Sequence, residues 1–478
     1  MQNRYRQLRE YWSVILIIIF IPILLFVTLQ ILPTHDDWTS STSPDFTPFF
    51  TKEHFLFYGY HWRPFDTWIG YIVGRNPQLL FPAFNHCLVV FGHIICAFLL
   101  FRLLINLDFK KNTANIVTVF FFLNPAVLAS VLAVDSQNQV FSLAFGIISF
   151  MAYTNIKKGK YIIWPLLIFI TTLTKENGLM WSLICPLLAF GFDIIALKTF
   201  KKDLIIGFAI ILAYFTLIFI LPKDITIHQE YVPESIKIVK NVIKFLFSSF
   251  ITIDYVYLLH SPKRNLLFAA ISFILALPFL FFVFGNIKLY KQKKTICIAI
   301  CLLIAVSPHL LTVFSMMHTY AGLVFVALLV ALGIEKYNNL KHISVTFILY
   351  IICALLIDIH LTQESILSGL TGKRMAEEAI RKTDNPVNTV FLIIIEENFT
   401  KLSSFCTVPY EAFGWGLAAK YETNYKWPII ISDTIISRDK NAYLKAVELG
   451  KKALQNETYK CVWIVNHENI DVIRNSEN

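Results

Sequence analysis

The chain has 478 residues, of which 56% are hydrophobic and only 15% charged. A soluble protein carries about 25% charged residues, so a freely soluble enzyme and a disordered polar chain are both excluded. The formal charge of +10 is no nucleic-acid signature, because the basic residues sit in short clusters between apolar runs, as the positive-inside rule describes.

The apolar runs are continuous rather than alternating, which predicts membrane-crossing helices and not a β-barrel. In chain order the expected spans are 12–32, 87–106, 114–133, 139–155, 161–174, 178–195, 204–222, 265–286, 296–316, 320–335 and 343–361. The first is too long for a signal-peptide core and lacks a small-residue cleavage site, so it is expected to stay as a span. Basic residues precede it (Arg4, Arg6, Arg9) and recur at Lys110/Lys111, Lys157/Lys158/Lys160, Lys198/Lys201/Lys202, Lys288/Lys291/Lys293/Lys294 and Lys336/Lys341. Every second connection carries such a cluster, which places them together on the cytoplasmic side. An odd span count then puts the N-terminus in the cytoplasm and the C-terminal segment outside. The outer side has two long loops, 33–86 and 223–264.

Within the second loop, 236–259 is apolar but carries Lys237, Lys240 and Lys244 on one helical face, which predicts a helix lying in the membrane interface. Were it a span, the tail would turn to the cytoplasm.

Composition changes after His360. Residues 1–361 form the membrane module, and 362–478 a small polar domain. Strand-like runs at 389–395, 427–432 and 461–466, with helical periodicity at 441–455, predict an α/β fold without a glycine-rich phosphate loop. Six cysteines lie in apolar runs as small hydrophobes and give no metal pattern. Cys406 and Cys461 are expected to pair if the tail meets an oxidising compartment.

Three polar signals stand out. Asp36-Asp37 follows the first span directly; the pair is either a solvated helix cap or a base toward a hydroxyl. His61-Trp62-Arg63-Pro64 comes next. Arg63 among aromatics is either an incidental cation in an interfacial anchor or a phosphate ligand, since guanidinium binds two oxygens at once. Lys175-Glu176 interrupts the apolar stretch 161–192; it is either a self-paired hairpin turn or the lining of a cavity, because charge at that depth is costly.

Asp-Asp after the first span, Arg63-Pro64 in the first loop and Thr174-Lys175-Glu176-Asn177-Gly178 at a hairpin break resemble, in that order, the GT-C superfamily of integral-membrane glycosyltransferases. The branch of protein O-mannosyltransferases and their tetratricopeptide-bearing relatives is the most similar. Asn76-Pro77, Asn85 and Asn124-Pro125 extend the likeness, which covers about residues 30–195. Asn124 stands where that family commonly has His, the next acidic position is matched only by nearby Asp135, and no tetratricopeptide repeats follow. In architecture the chain also resembles bacterial and phage serotype-converting O-antigen glucosyltransferases.

The resemblance implies a polyprenyl-phosphate-sugar donor. It also implies transfer of a monosaccharide, glucose or another hexose, to O-antigen/lipopolysaccharide or another envelope glycan at the outer face of a bacterial inner membrane. It makes Asp36 or Asp37 the base, with Asp36 preferred, and Arg63 and Lys175 the donor-phosphate ligands, with Glu176 orienting Lys175. His61, Asp135, His318 and Tyr320 are expected pocket residues. Lys237, Lys240 and Lys244 are lipid-phosphate contacts or plain anchors. No metal or other cofactor is indicated. A protein O-mannosyltransferase-like enzyme, an O-antigen polymerase and a lipid-linked sugar transporter stay open as alternatives.

Overall fold

The computed structural model describes residues 11–34, 37–38, 63, 65, 83–134, 136–220, 235–251, 262–286, 289, 291–310, 316–337, 340–384, 387, 389–396, 408–423, 430–455 and 458–474. The helices are α1 (Trp12–Thr28), α2 (Ala83–Asn106), α3 (Lys111–Phe122), α4 (Gln137–Asn155), α5 (Lys160–Thr174), α6 (Trp181–Gly191), α7 (Leu197–Ile220), α8 (Ser235–Ile251), α9 (Pro262–Phe284), α10 (Lys293–Leu310), α11 (Thr319–Lys336) and α12 (Leu340–Thr383). Among the described residues, His86–Asn106, Lys293–Leu310, Met316–Lys336 and His342–Thr383 are long and apolar enough to cross a membrane.

Each expected span contains a helix, and two depart most from a continuous one. The run 114–133 breaks after Phe122, because Pro125 disfavours helix at the residue before it. Asn124 instead caps a 3-10 turn, its Oδ1 accepting from the Ala126 N–H at 3.0 Å. The run 178–195 holds α6, whose 11 residues reach about 16 Å against about 30 Å of hydrocarbon.

The outside of the bundle is apolar. Ile162, Ile205, Leu212 and Phe281 are each about two-thirds exposed or more, an arrangement that suits lipid and not water. The inside is packed with Tyr153, Trp164, Phe120, Phe150, Phe279 and Phe325, all essentially inaccessible. Buried polar links cross it, among them the backbone N–H and Oγ of Ser13 both donating to Asn115 Oδ1 and tying α1 to α3.

Contacts draw the lysine-rich connections to one end of the bundle. The Lys110 N–H donates to Glu335 at 2.6 Å, Lys160 pairs with Asp203 at 2.9 Å, and Lys293 pairs with Asp193 at 2.7 Å. The helix α8 does not lie apart from the bundle. Its Asn241–Phe245–Ser248–Ser249 face is buried against α9, α10 and α11, and Asn241 Nδ2 donates to the Leu310 carbonyl at 3.0 Å. Lys240 faces outward; the side chain of Lys237 lies outside the described residues.

The position where composition changes, 361/362, falls inside α12. This helix runs unbroken for 44 residues, about 66 Å, and its far half belongs to the C-terminal domain. That domain has a four-stranded sheet in the order β2-β1-β3-β4, formed by β1 (Thr389–Ile395), β2 (Ile430–Ile436), β3 (Cys461–Asn466) and β4 (Asn469–Arg474). The first three strands are parallel and β4 is antiparallel.

One face of the sheet packs on α12 and the short helices Pro409–Ala412 and Leu417–Glu422. The other face packs on α13 (Ala442–Gln455). The α/β expectation holds for β1, β3 and α13. The second strand is described over Ile430–Ile436, the expected positions 427–429 lie outside the described residues, and β4 adds a strand beyond those expected. Cys461 is a free, buried thiol, so the expected bridge is not formed; Cys406 lies outside the described residues.

Candidate functional site

The turn between α5 and α6 carries the charges. The 15 residues of α5 rise about 22 Å from the lysine-rich end, so the turn sits within the thickness of a bilayer. Lys175 leaves the helix in an extended conformation and Glu176–Met180 forms a 3-10 turn. Gly178 is needed there, because a Cβ would stand 2.4 Å from the Thr171 carbonyl oxygen.

Glu176 pairs with Arg63, across 113 positions of chain. Arg63 Nε lies 2.8 and 2.9 Å from the two Glu176 oxygens, and Nη2 lies 2.7 Å from Oε2. Lys175, 9% exposed, donates to Asn138 Oδ1 at 2.9 Å. Two neighbouring cations are thus held by two different acceptors.

A histidine pair flanks this turn. Rings of His309, at the end of α10, and His318, just before α11, stack with centroids 4.3 Å apart. Asn177 Nδ2 lies 3.2 Å from His309 Nε2, and Asn177 Oδ1 accepts from Ser142 Oγ at 3.3 Å. The charges of Lys175 and Arg63 act on both histidines, and that of Glu176 acts on His309. The charges of Glu176 and Arg63 also act on Tyr214 of α7. These residues form one polar nest inside an apolar bundle.

Asp37 stands in a second buried cluster. It is 3% exposed, and its Oδ1 accepts from the Val134 N–H at 2.7 Å while Oδ2 accepts from the Thr34 N–H at 3.3 Å. His86 Nε2 is 3.9 Å from Oδ2. Two backbone donors stabilise the carboxylate, which braces the chain after α1 against the loop after α3.

Tyr320, an expected pocket residue, belongs to α11. It is fully buried, and its hydroxyl meets His93 Nδ1 at 2.9 Å, deep between α2 and α11. Asp36, His61 and Asp135 lie outside the described residues. Sequence reasoning passed over His309, although a histidine ending an apolar run is a signal. It also passed over the polar run Ser136-Gln137-Asn138-Gln139, which is buried and supplies the acceptor for Lys175. Among the described residues no group of three His, Cys, Asp or Glu side chains gathers as a metal set.

Fold and nest together define a helical membrane protein that carries a polar site inside its bundle and a small α/β domain on one long helix. No family model and no curated protein matches the chain. Among solved structures it is similar to the archaeal oligosaccharyltransferase AglB from Archaeoglobus fulgidus, determined in complex with an inhibitory peptide and a dolichol-phosphate. The identity is 12% and the TM-score 0.45, over 96% of this chain and 70% of that one. A likeness this weak defines neither family nor activity.

Proposed function

We propose that the chain is a GT-C-like glycosyltransferase that moves a monosaccharide, glucose or another hexose, from a polyprenyl-phosphate donor to a hydroxyl of an envelope glycan such as lipopolysaccharide O-antigen. The observation that carries this reading is the placement of Arg63 and Lys175 at one turn within the bilayer's thickness. Two cations gathered at that turn suit a lipid-borne phosphate, because a guanidinium fork and an ammonium both complement phosphate oxygens. The motif order from the first span to Gly178 supports the same reading.

In the proposed reaction the acceptor oxygen bonds to the anomeric carbon as the bond from that carbon to the donor phosphate oxygen breaks. The phosphate keeps the bonding electron pair. Arg63 and Lys175 neutralise the charge that develops on it, and Glu176 fixes the plane of the guanidinium. A carboxylate of the Asp36-Asp37 pair takes the hydroxyl proton. We assign that task to Asp36, since both Asp37 oxygens already accept backbone hydrogen bonds. The lysine-rich end is assigned to the cytoplasm, and the site to the outer half of a bacterial inner membrane.

The test is purified protein given a labelled polyprenyl-phosphate hexose with a glycan acceptor. Label in the acceptor, lost in Asp36→Asn, supports the reading; movement of intact lipid across vesicles without bond cleavage favours a transporter and overturns it.

A further inference from the structure

Asp37 is followed by a residue that belongs to another core. Trp38 is 2% exposed and packs with Met375, Phe413 and Trp463 of the C-terminal domain. Its Nε1 donates to the Ala412 carbonyl at 3.2 Å, and its ring lies 5.5 Å from that of Tyr421.

The domain is shaped to receive it. Gly414 has φ +59°, and a Cβ there would stand 2.3 Å from the indole ring, so only glycine allows the ring to seat. The chain that leads to it is also held from below, because Gly369 of α12 lets it approach to where a Cβ would meet Leu32 at 2.7 Å. The strap that carries Asp37 and Trp38 is therefore clasped between the membrane bundle, through Asp37 and Val134, and the α/β domain, through Trp38.

We propose that the C-terminal α/β domain is a positioning element for the Asp36-Asp37 strap, with Trp38 as the positioning residue. A strap that only capped a helix end would have no need to bury an indole in a second domain, against a carbonyl 374 positions further along the chain. The catalytic consequence rests on the proposed transferase; the clasp itself does not. Freeing the ring would let the carboxylates wander by about an ångström or more, which costs turnover and leaves donor binding at Arg63 and Lys175 intact.

The experiment labels a thiol placed at the strap. In full-length Thr34→Cys protein, which keeps the Asp37 carboxylate and the backbone N–H that Thr34 gives it, maleimide modification is read peptide by peptide by mass spectrometry, so that native thiols do not interfere. The introduced thiol is expected to label slowly, and a second substitution, Trp38→Ala, is expected to speed it about a hundredfold, as the lost indole packing favours local opening. Gly414→Ala, which leaves the indole intact but fills its seat, is expected to act in the same direction.

Buried Cys461 reports the domain. If a variant exposes Cys461 while the strap thiol stays protected, the domain does not hold the strap and the proposal fails. Unchanged labelling of the strap thiol in both variants with Cys461 protected overturns it equally. In the otherwise unaltered enzyme, Trp38→Ala is expected to lower kcat about tenfold to a hundredfold with donor KM unchanged; faster strap labelling without a fall in kcat would overturn the positioning role. A wild-type protein that transfers no sugar would sink the transferase reading alone, and the labelling would still decide the clasp.

Discussion

Glu176 holds Arg63 by one edge of its guanidinium, with both carboxylate oxygens within 2.9 Å of Nε and Nη2 2.7 Å from Oε2. The cation is thereby fixed in plane as well as in place. Arg63→Ala is expected to lower kcat/KM about a hundredfold. Arg63→Lys should recover little of this, because an ammonium has no planar fork to match a carboxylate or a phosphate. Steady-state transfer assays on the two variants check it; full activity in Arg63→Lys would show that geometry is unimportant there.

Lys175 is steadied by a neutral amide, and its loss should hurt more than the loss of that partner. Lys175→Met is expected to reduce transfer about a hundredfold or more. Asn138→Ala, which removes one hydrogen bond, should cost about fivefold, or about 1 kcal/mol. Equal losses in the same transfer assay would mean that Lys175 acts only as the anchor of Asn138.

At the opposite end of the bundle, Asp203 is fully buried and accepts from Tyr153, Lys160 and Tyr161 at 2.5, 2.9 and 3.0 Å. Its role is to staple α4, α5 and α7. Asp203→Ala strands Lys160 and two hydroxyls, at a cost of about 2–4 kcal/mol. Thermal unfolding in detergent should show the drop, while kcat measured below the new transition stays near wild type. A stable but inactive variant would contradict a purely structural role.

The C-terminal domain should carry a pH signature. Burial pushes the Glu422 carboxyl up from its ordinary value, with Lys373 opposing and Glu377 adding to the rise. A carboxyl raised on folding contributes its full stability below its unfolded pKa of about 4.3 and loses it as pH rises through the folded value. Glu422→Gln removes that loss. The variant is expected to melt above wild type at neutral pH, with the gap closing as pH falls toward about 4. Melting curves across pH check this; a gap that ignores pH would contradict it.

Much of this organisation was legible in the residues, for physical reasons. Long apolar runs announce helices in lipid, and charge inside one of them, at Lys175-Glu176, announces a site because hydrocarbon penalises it. What was hidden is mostly pairing at long range. Nothing local says that Glu176 would pair with Arg63, 113 positions away in the chain. Nothing in the residues around Trp38 announces that the second domain closes over it. The continuity of α12 past 361 was masked by a change of environment: the helix leaves lipid for water and the sheet, so its composition shifts while its backbone does not. At Asn124-Pro125 the apolar run concealed a break that proline chemistry should have marked.

The central claim is that Arg63 and Lys175 receive the phosphate from which a sugar departs. Its most direct measurement follows both products from a donor labelled in the sugar and in the lipid phosphate. The account predicts one equivalent of free polyprenyl phosphate for each sugar that appears in the acceptor, with both lost together in Arg63→Ala and Lys175→Met. Sugar and phosphate that stay joined in every fraction, or transfer that persists in both variants, would contradict it.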